Sequence, residues 1–132
     1  MIKTLTVRTG EPCQMVDITG EVRRLIRECD TGSGVCHLFV PHTTAGITIN
    51  ENADPAVRKD ILAVLDRLVP VEGPYEHGEG NSHAHVKATL AGSSVSVLVE
   101  AGQPVLGTWQ GIYLCEFDGP RSRNVILRVT PA

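Results

Sequence analysis

The sequence predicts an α+β domain in which sheet outweighs helix, and three observations carry that expectation. Short apolar runs recur between clusters of Gly, Pro, Asp and Ser, as strands do between turns. Two segments instead repeat their apolar residues at helical spacing. Aromatic residues supply only 4% of the chain although 42% is hydrophobic, so Val, Ile, Leu and Ala must fill the core, and these pack well between sheet faces. A chain of 132 residues fits one domain, residues 1–132, with its own core and no second one.

The elements follow in order. Residues from Ile2 to Arg8 alternate as a strand, Gly10-Glu11-Pro12 reads as a turn, and residues from Cys13 to Ile18 read as a second strand, an opening hairpin. Thr19 is placed to cap a helix whose stripe is Val22, Leu25, Ile26 and Cys29, ending in the Thr31-Gly32-Ser33-Gly34 loop. Val35 to Val40 and Ala45 to Ile49 read as strands on either side of the polar link Pro41-His42-Thr43-Thr44. Asn52 or Asp54 can cap a second helix with Pro55 at its first position and a buried stripe of Val57, Ile61, Leu62, Leu65 and Leu68, stopping before Pro70. Val71 to Asn81, with Gly73, Pro74, Gly78 and Gly80, has loop composition. Ser82 to Leu90 is read as a third helix closed by Gly92. Ser94 to Val99, Gly107 to Phe117 and Asn124 to Val129 read as strands, the last two joined as a hairpin by Asp118-Gly119-Pro120.

Composition excludes several functions. Twelve Lys and Arg against fifteen Asp and Glu give a formal charge of −3, with no basic stripe for a phosphate backbone, so nucleic acid is not an expected partner. No segment approaches the ~20 apolar residues needed to cross a bilayer. The alternation from Met1 to Val7 is unlike the apolar run of a signal peptide. A cytoplasmic location is therefore expected, with Cys13, Cys29, Cys36 and Cys115 as free, mostly buried thiols. The Walker, GxGxxG, GxSxG and HExxH patterns are missing, so no nucleotide cofactor is expected.

Histidine placement carries the candidate chemistry. Four of the five, His42, His77, His83 and His85, lie in or beside the two polar segments, whereas His37 sits in an apolar run and reads as a core or interface imidazole. On a helix His83 and His85 point about 200° apart, so only one of them faces a common site. His77, Glu79 and the His83/His85 pair offer the nitrogen and oxygen donors of a Zn²⁺-type site, or simply a solvated loop. His42, Thr43 and Thr44, followed by Asn50-Glu51-Asn52, can hydrogen-bond an anionic or polyhydroxylated ligand, or stabilise their own turns. Trp109 and Gln110 present an indole and an amide suited to a heteroaromatic ring, with burial in the core as the other reading. Arg121 and Arg123 can clamp a phosphate or pair with Asp118 and Glu116 at the surface.

Read together, Pro41-His42-Thr43-Thr44-Ala45-Gly46, Asn50-Glu51-Asn52-Ala53-Asp54-Pro55, Glu79-Gly80-Asn81, His85, Gly107-Thr108-Trp109-Gln110-Gly111 and Cys115-Glu116-Phe117-Asp118-Gly119-Pro120-Arg121 closely resemble the YjbQ-type family, called secondary thiamine-phosphate synthase-like. The resemblance runs from about Leu5 to Val129. It implies a two-sheet, jelly-roll-like β-sandwich flanked by two or three helices, a homotrimer, and a polar pocket in which His42, His77 and His85 weigh more than His83. It also implies a secondary thiamine-phosphate synthase activity, which joins a hydroxymethylpyrimidine diphosphate to a thiazole phosphate and releases pyrophosphate.

That reaction chiefly needs the departing diphosphate neutralised and the thiazole nitrogen held nearby. Thr43, Thr44, Lys87, Arg121 and Arg123 are candidates, with Asn50, Trp109 and Gln110 beside them as ligand contacts. A divalent ion, Zn²⁺ or Mg²⁺, on His42, His77 and His85 would serve the same end. His42, Glu51, Glu79 and His85 are the candidate catalytic groups. Two alternatives stand: a metal-dependent hydrolase of a small phosphate or amide using Glu79 or Glu51 as base, and a non-catalytic trimer that binds a small phosphorylated ligand or a metal.

Overall fold

The computed structural model describes residues 2–132. The chain runs β1 (Lys3–Arg8), β2 (Gln14–Asp17), α1 (Thr19–Glu28), β3 (Gly34–Phe39), β4 (Ala45–Glu51), α2 (Pro55–Leu68), α3 (Ser82–Ala91), β5 (Ser94–Glu100), β6 (Gln103–Pro104), β7 (Gln110–Glu116) and β8 (Ser122–Pro131). Two antiparallel sheets result, one ordered β1-β8-β3-β5-β6 and the other β2-β7-β4. This is the expected α+β class, with one short strand, β6, that the sequence reading passed over.

The inner faces of the two sheets meet in one core. Leu5, Val7, Cys36, Leu38, Val97, Val99, Val125 and Leu127 of the larger sheet face Ile47, Ile112 and Leu114 of the smaller, and Ile18, Val22, Leu25 and Ile26 of the α1 segment close the edge. The outer face of the small sheet is covered in turn. Met15, Tyr113, Cys115 and the adjoining Phe117 pack with Ala84 and Ala88 of α3 and with Ile61, Leu62 and Leu65 of α2. β7 is thus covered on both sides, and every residue from Gly111 to Glu116 is buried, as the continuous apolar run of a doubly covered strand requires.

Both expected hairpins are corrected. β1 pairs with β8 and β2 with β7, so Gly10-Glu11-Pro12 carries the chain from one sheet to the other. Asp118-Gly119-Pro120 does the same between β7 and β8. The two crossovers lie side by side, with the Thr9 amide donating to the Arg121 carbonyl at 2.9 Å and the Gly119 amide to the Pro12 carbonyl at 3.1 Å. Turn composition marks where a chain reverses but not which strand it then joins, and here burying both inner faces decided the partner.

Helix ends follow local chemistry with one change. Asp54 caps α2, its Oδ1 accepting from the Ala56 amide at 2.9 Å with Pro55 in the first turn. Thr19 does not cap α1: its hydroxyl donates to Asp17 Oδ1 at 2.6 Å and accepts from the Ile112 amide at 2.8 Å, while Asp17 Oδ1 takes the Thr19 amide. Joining the helix to β7 outweighed the local cap. The α2 stripe is only half-buried, Leu68 is 70% exposed, and none of the fourteen residues is fully buried. His37 is exposed on the outer face of the large sheet, its Nδ1 3.3 Å from Ser96 Oγ, and so is not in the core.

All four cysteines are unpaired, Cys36 and Cys115 buried and Cys13 and Cys29 half-buried. Burial pushes the Cys36 and Cys115 thiols up to about 12, which removes the nucleophilic thiolate at neutral pH. A native thiol titration at pH 7.5 should therefore find Cys36 and Cys115 unreactive, and denaturation without reductant should release all four. Native modification of Cys115 at the rate of a free thiol would contradict the packing described.

Candidate functional site

The site rests on a buried ionic network between the sheets. Glu116 ends β7 and Arg123 is the second residue of β8, and both are buried. Arg123 Nε donates to Glu116 Oε1 and Oε2 at 2.9 and 3.1 Å, and its Nη2 donates again to the same carboxylate. Nη2 also reaches the Thr44 hydroxyl at 2.8 Å and the Thr44 carbonyl at 3.2 Å. The carboxylate accepts further from the Thr9 hydroxyl at 2.8 Å and the Asp118 amide at 3.0 Å. Burial by itself raises the Glu116 pKa, but the Arg123, Asp118 and Thr9 hydrogen bonds outweigh it and hold the carboxyl below its usual range. Gly119 sits against this network with no room for a side chain: a Cβ there would lie 2.3 Å from the Glu11 carbonyl oxygen and 2.8 Å from Glu116 Cγ.

The network fixes the chain immediately before β4, and that fixes His42 and Thr43. Across from them stands α3, whose end is closed by Gly92 at φ +93°. The Gly92 carbonyl accepts from the Ile47 amide at 3.0 Å, and the Ser93 carbonyl from the Val40 amide at 2.8 Å. These bonds draw the α3 terminus against the His42 link. Between them opens a polar cleft of about 450 Å³, lined by His42, Thr43, His85, Thr89 and Ser93 with Ala45, Ala88 and Gly92. Thr89 and Ser93 were not singled out in the sequence, since isolated hydroxyls in and beside a helix carry no motif; the Gly92-Ser93 helix stop was the only available signal.

His42 has a defined chemical state. Its Nε2 accepts the Asn124 amide at 2.9 Å, so in the neutral ring Nδ1 carries the proton. Burial and then the Arg123 charge lower its pKa, against a smaller opposing effect of Glu116 and a further lowering by Arg121. His42 is therefore a neutral hydrogen-bond donor. His85 faces the same cleft, and the His77 ring meets it edge-on with centroids 5.4 Å apart. His77 Nε2 lies 3.8 Å from Glu79 Oε2, so His42, His85, His77 and Glu79 follow one another along this side of the molecule.

Other expected members lie elsewhere. Thr44 is buried and bonded to Arg123 rather than lining the cleft. Lys87 is buried, paired with Asp66 of α2 and 3.8 Å from Cys13 Sγ, so it ties α2 to α3 instead of meeting a phosphate. Arg123 is consumed internally, and the pair with Glu116 is buried rather than at the surface. Arg121 remains half-exposed, bonded to the Asp118 carbonyl at 2.9 Å and to its carboxylate at 3.1 Å. Glu51, Trp109 and Gln110 belong to the opposite end of β4 and β7, where Glu51 pairs with Gln110 in register. Trp109 there is 63% exposed, not a core residue. Asn50 opens onto a separate apolar cavity. As helix geometry requires, His83 and His85 diverge; His83 Nδ1 and Asn81 Oδ1 are buried without a hydrogen-bond partner.

The metal set expected from His42, His77 and His85 does not fit this geometry. Among the described residues no three His, Cys, Asp or Glu side chains are placed to hold one ion. His42 has also committed the lone pair it would need. Among the described residues no helix is long and apolar enough to cross a membrane.

Comparison with known proteins gives a consistent result. A family model described as UPF0047 protein YjbQ-like matches residues 3–132. The UPF0047 protein YugU of Bacillus subtilis (strain 168) is 50% identical over 130 residues, 98% of each chain. A UPF0047 protein of Methanocaldococcus jannaschii is 45% identical over 129 residues, 98% of this chain and 94% of that one. A crystal structure of a YjbQ/UPF0047-family protein from Clostridium acetobutylicum superposes with a TM-score of 0.95 at 51% identity, covering 97% of this chain and 99% of that one. A YbjQ-like protein of unknown function from Sulfolobus solfataricus P2 gives 0.95 at 32% identity, covering 100% and 97%.

Replacing Glu116 by Gln leaves Arg123 buried without its counter-charge, which costs about 3 kcal/mol and lowers Tm by about 10 °C; a thermal melt within 2–3 °C (roughly 1 kcal/mol) of the parent would refute the network's role. Because the folded pKa of His42 is depressed, the native state binds fewer protons there than the unfolded chain. That contribution to stability is complete above the unfolded value of ~6.5 and is lost as pH falls below it. NMR titration should find the His42 ring neutral down to below ~6.5, and an ordinary or raised pKa would contradict its burial beside the Arg123 charge.

Proposed function

The chain belongs to the UPF0047 YjbQ-like family, and from that premise we propose that its His42–His85 cleft binds a small phosphorylated molecule through neutral hydrogen-bond donors. One observation carries the reading: Asn124 holds His42 Nε2 as an acceptor, so the ring offers Nδ1–H at neutral pH beside the hydroxyls of Thr43 and Ser93, while the Thr89 hydroxyl donates to the His85 carbonyl at 2.9 Å. Neutral donors around an anion avoid burying an unpaired charge when the site is empty. Arg121, half-exposed and close enough for its charge to act on His42, is the cation that could swing to meet the phosphate at the rim.

The thiamine-phosphate synthase reaction implied by the family resemblance asks more of this site. A departing diphosphate needs several positive charges, and Arg123 and Lys87 are already engaged by Glu116 and Asp66. Binding of a monophosphate, such as the thiazole phosphate of that reaction, is the part the cleft supports best.

Self-association as a homotrimer belongs to the same proposal. The outer face of the large sheet exposes Phe39 at 46%, Leu98 at 63% and Val105 at 54%, an apolar surface of the kind that marks interaction sites. Light scattering should give about three times the 14.2 kDa chain mass, and Phe39→Glu with Leu98→Glu should yield monomers. A concentration-independent monomer of the parent chain would rule the trimer out.

For the cleft, calorimetric titration with thiazole phosphate should show binding that His42→Ala weakens at least tenfold, while the circular dichroism spectrum stays unchanged. Absence of binding at about 1 mM free ligand, where a site worth ~4 kcal/mol is half filled, would refute it. A synthase assay with hydroxymethylpyrimidine diphosphate added to the same samples separates binding from turnover.

A further inference from the structure

The second site candidate lies on the other side of α3 and has different chemistry. α2 spans fourteen residues without one fully buried side chain, because its apolar stripe meets the outer face of the small sheet only through the half-buried Ile61, Leu62 and Leu65. The same three side chains border a half-open pocket of about 220 Å³, with Met15, Cys115 and Phe117 at its floor and Leu90 and Ala91 beside its mouth. Close packing is the rule in protein interiors, and an unfilled pocket of this size leaves the apolar side chains that line it short of dispersion contacts. A sealed cavity of ~150 Å³ lined by Leu, Ile and Phe admits benzene, so a half-open pocket of this volume has room for one ring.

The polar groups of the cavity are few and sit together. Thr48 and Asn50 alternate along β4 and so share one face of that strand, and both line the cavity. Asn50 Oδ1 accepts the Glu51 amide at 2.7 Å, which leaves its Nδ2 as the donor. Thr48 adds a hydroxyl that can donate or accept. Met15 and Cys115 supply sulfurs, which favour contact with aromatic rings. The cavity does not merge with the His42–His85 cleft: β4 and α3 touch between them at Gly46, where a Cβ would lie 2.6 Å from the Gly92 carbonyl oxygen and 3.0 Å from Ala91 Cβ.

We infer that this cavity is a separate binding site for a single-ring aromatic molecule carrying one hydroxyl or carbonyl group. The ring lies among Met15, Leu65, Cys115 and Phe117, and its oxygen faces Asn50 and Thr48. Volume sets the limit at one ring, and the pairing of one amide with one hydroxyl sets the limit at one polar group.

The test uses the full chain and 4-methylphenol, with toluene as the probe that lacks the oxygen. The chain has two methionines, so the ¹³C-methyl signal of Met15 is readily assigned. Titration with 4-methylphenol should shift that signal saturably while the Thr89 and Ser93 amides stay still. Asn50→Ala should weaken 4-methylphenol about three- to tenfold, the range of one lost hydrogen bond, and leave toluene unchanged. Thr48→Ile, which fills the cavity, should weaken both probes at least tenfold. Leu90→Phe does the same from the mouth, where Leu90 is 60% exposed, and serves if Thr48→Ile fails to fold. An unmoved Met15 methyl, shifts confined to Thr89 and Ser93, or equal affinity in the filled variants would each overturn the assignment. Phosphate binding in the His42 cleft does not enter this readout, so either site can fail alone.

Discussion

The Glu116–Arg123 ion pair is the contact on which the rest of the arrangement depends. It joins the last residue of β7 to the second residue of β8 across the gap between sheets, and its spare hydrogen-bonding capacity is taken up by Thr9, Thr44 and Asp118. Each of those residues belongs to a segment that leaves or enters a sheet. A buried pair of this kind gives no assured gain over apolar packing, but losing one partner is costly. Its effect is therefore geometric: it admits one arrangement of the two crossovers and of the link that carries His42 and Thr43.

From that fixed corner the molecule builds outward in layers. The large sheet, the small sheet and the α2–α3 layer share two interfaces, and β7 is the strand common to both. α3 is held by its end, through the Gly92 and Ser93 carbonyls, to β4 and to Val40. One side of it, with His85 and Thr89, borders the polar cleft, and its last turn, with Leu90 and Ala91, borders the apolar cavity. α2 is tied to α3 by the Lys87–Asp66 pair and to the small sheet by the half-buried Ile61, Leu62 and Leu65. The layer that roofs the apolar cavity is thus the one with least buried surface.

The chemistry of the cleft follows from what its neighbours leave free. Arg123 and Lys87 are committed to carboxylates, and Arg121 pairs with Asp118. The histidine at its centre is kept neutral by burial and by nearby guanidinium charge. The free polar atoms left in such a site are directed neutral donors rather than unpaired charges.

Much of this was legible in the sequence, and the boundary is physical. Local chemistry fixed the strands and helices, Asp54 with Pro55 at the start of α2, Gly92 at the end of α3, the Val71–Asn81 loop, and the segments bearing His42 and His85, because caps, turns and periodicity act over a few residues. The two hairpins, the depth of Arg123 and Lys87, the exposure of Trp109 and the scatter of the expected metal ligands were decided only in three dimensions. Which strand a crossover joins depends on burying two inner faces at once, and whether a cation is free depends on a carboxylate that may stand anywhere in the chain. Sequence by itself determined which residues could do chemistry; the tertiary structure decided which of them still had a free atom with which to do it.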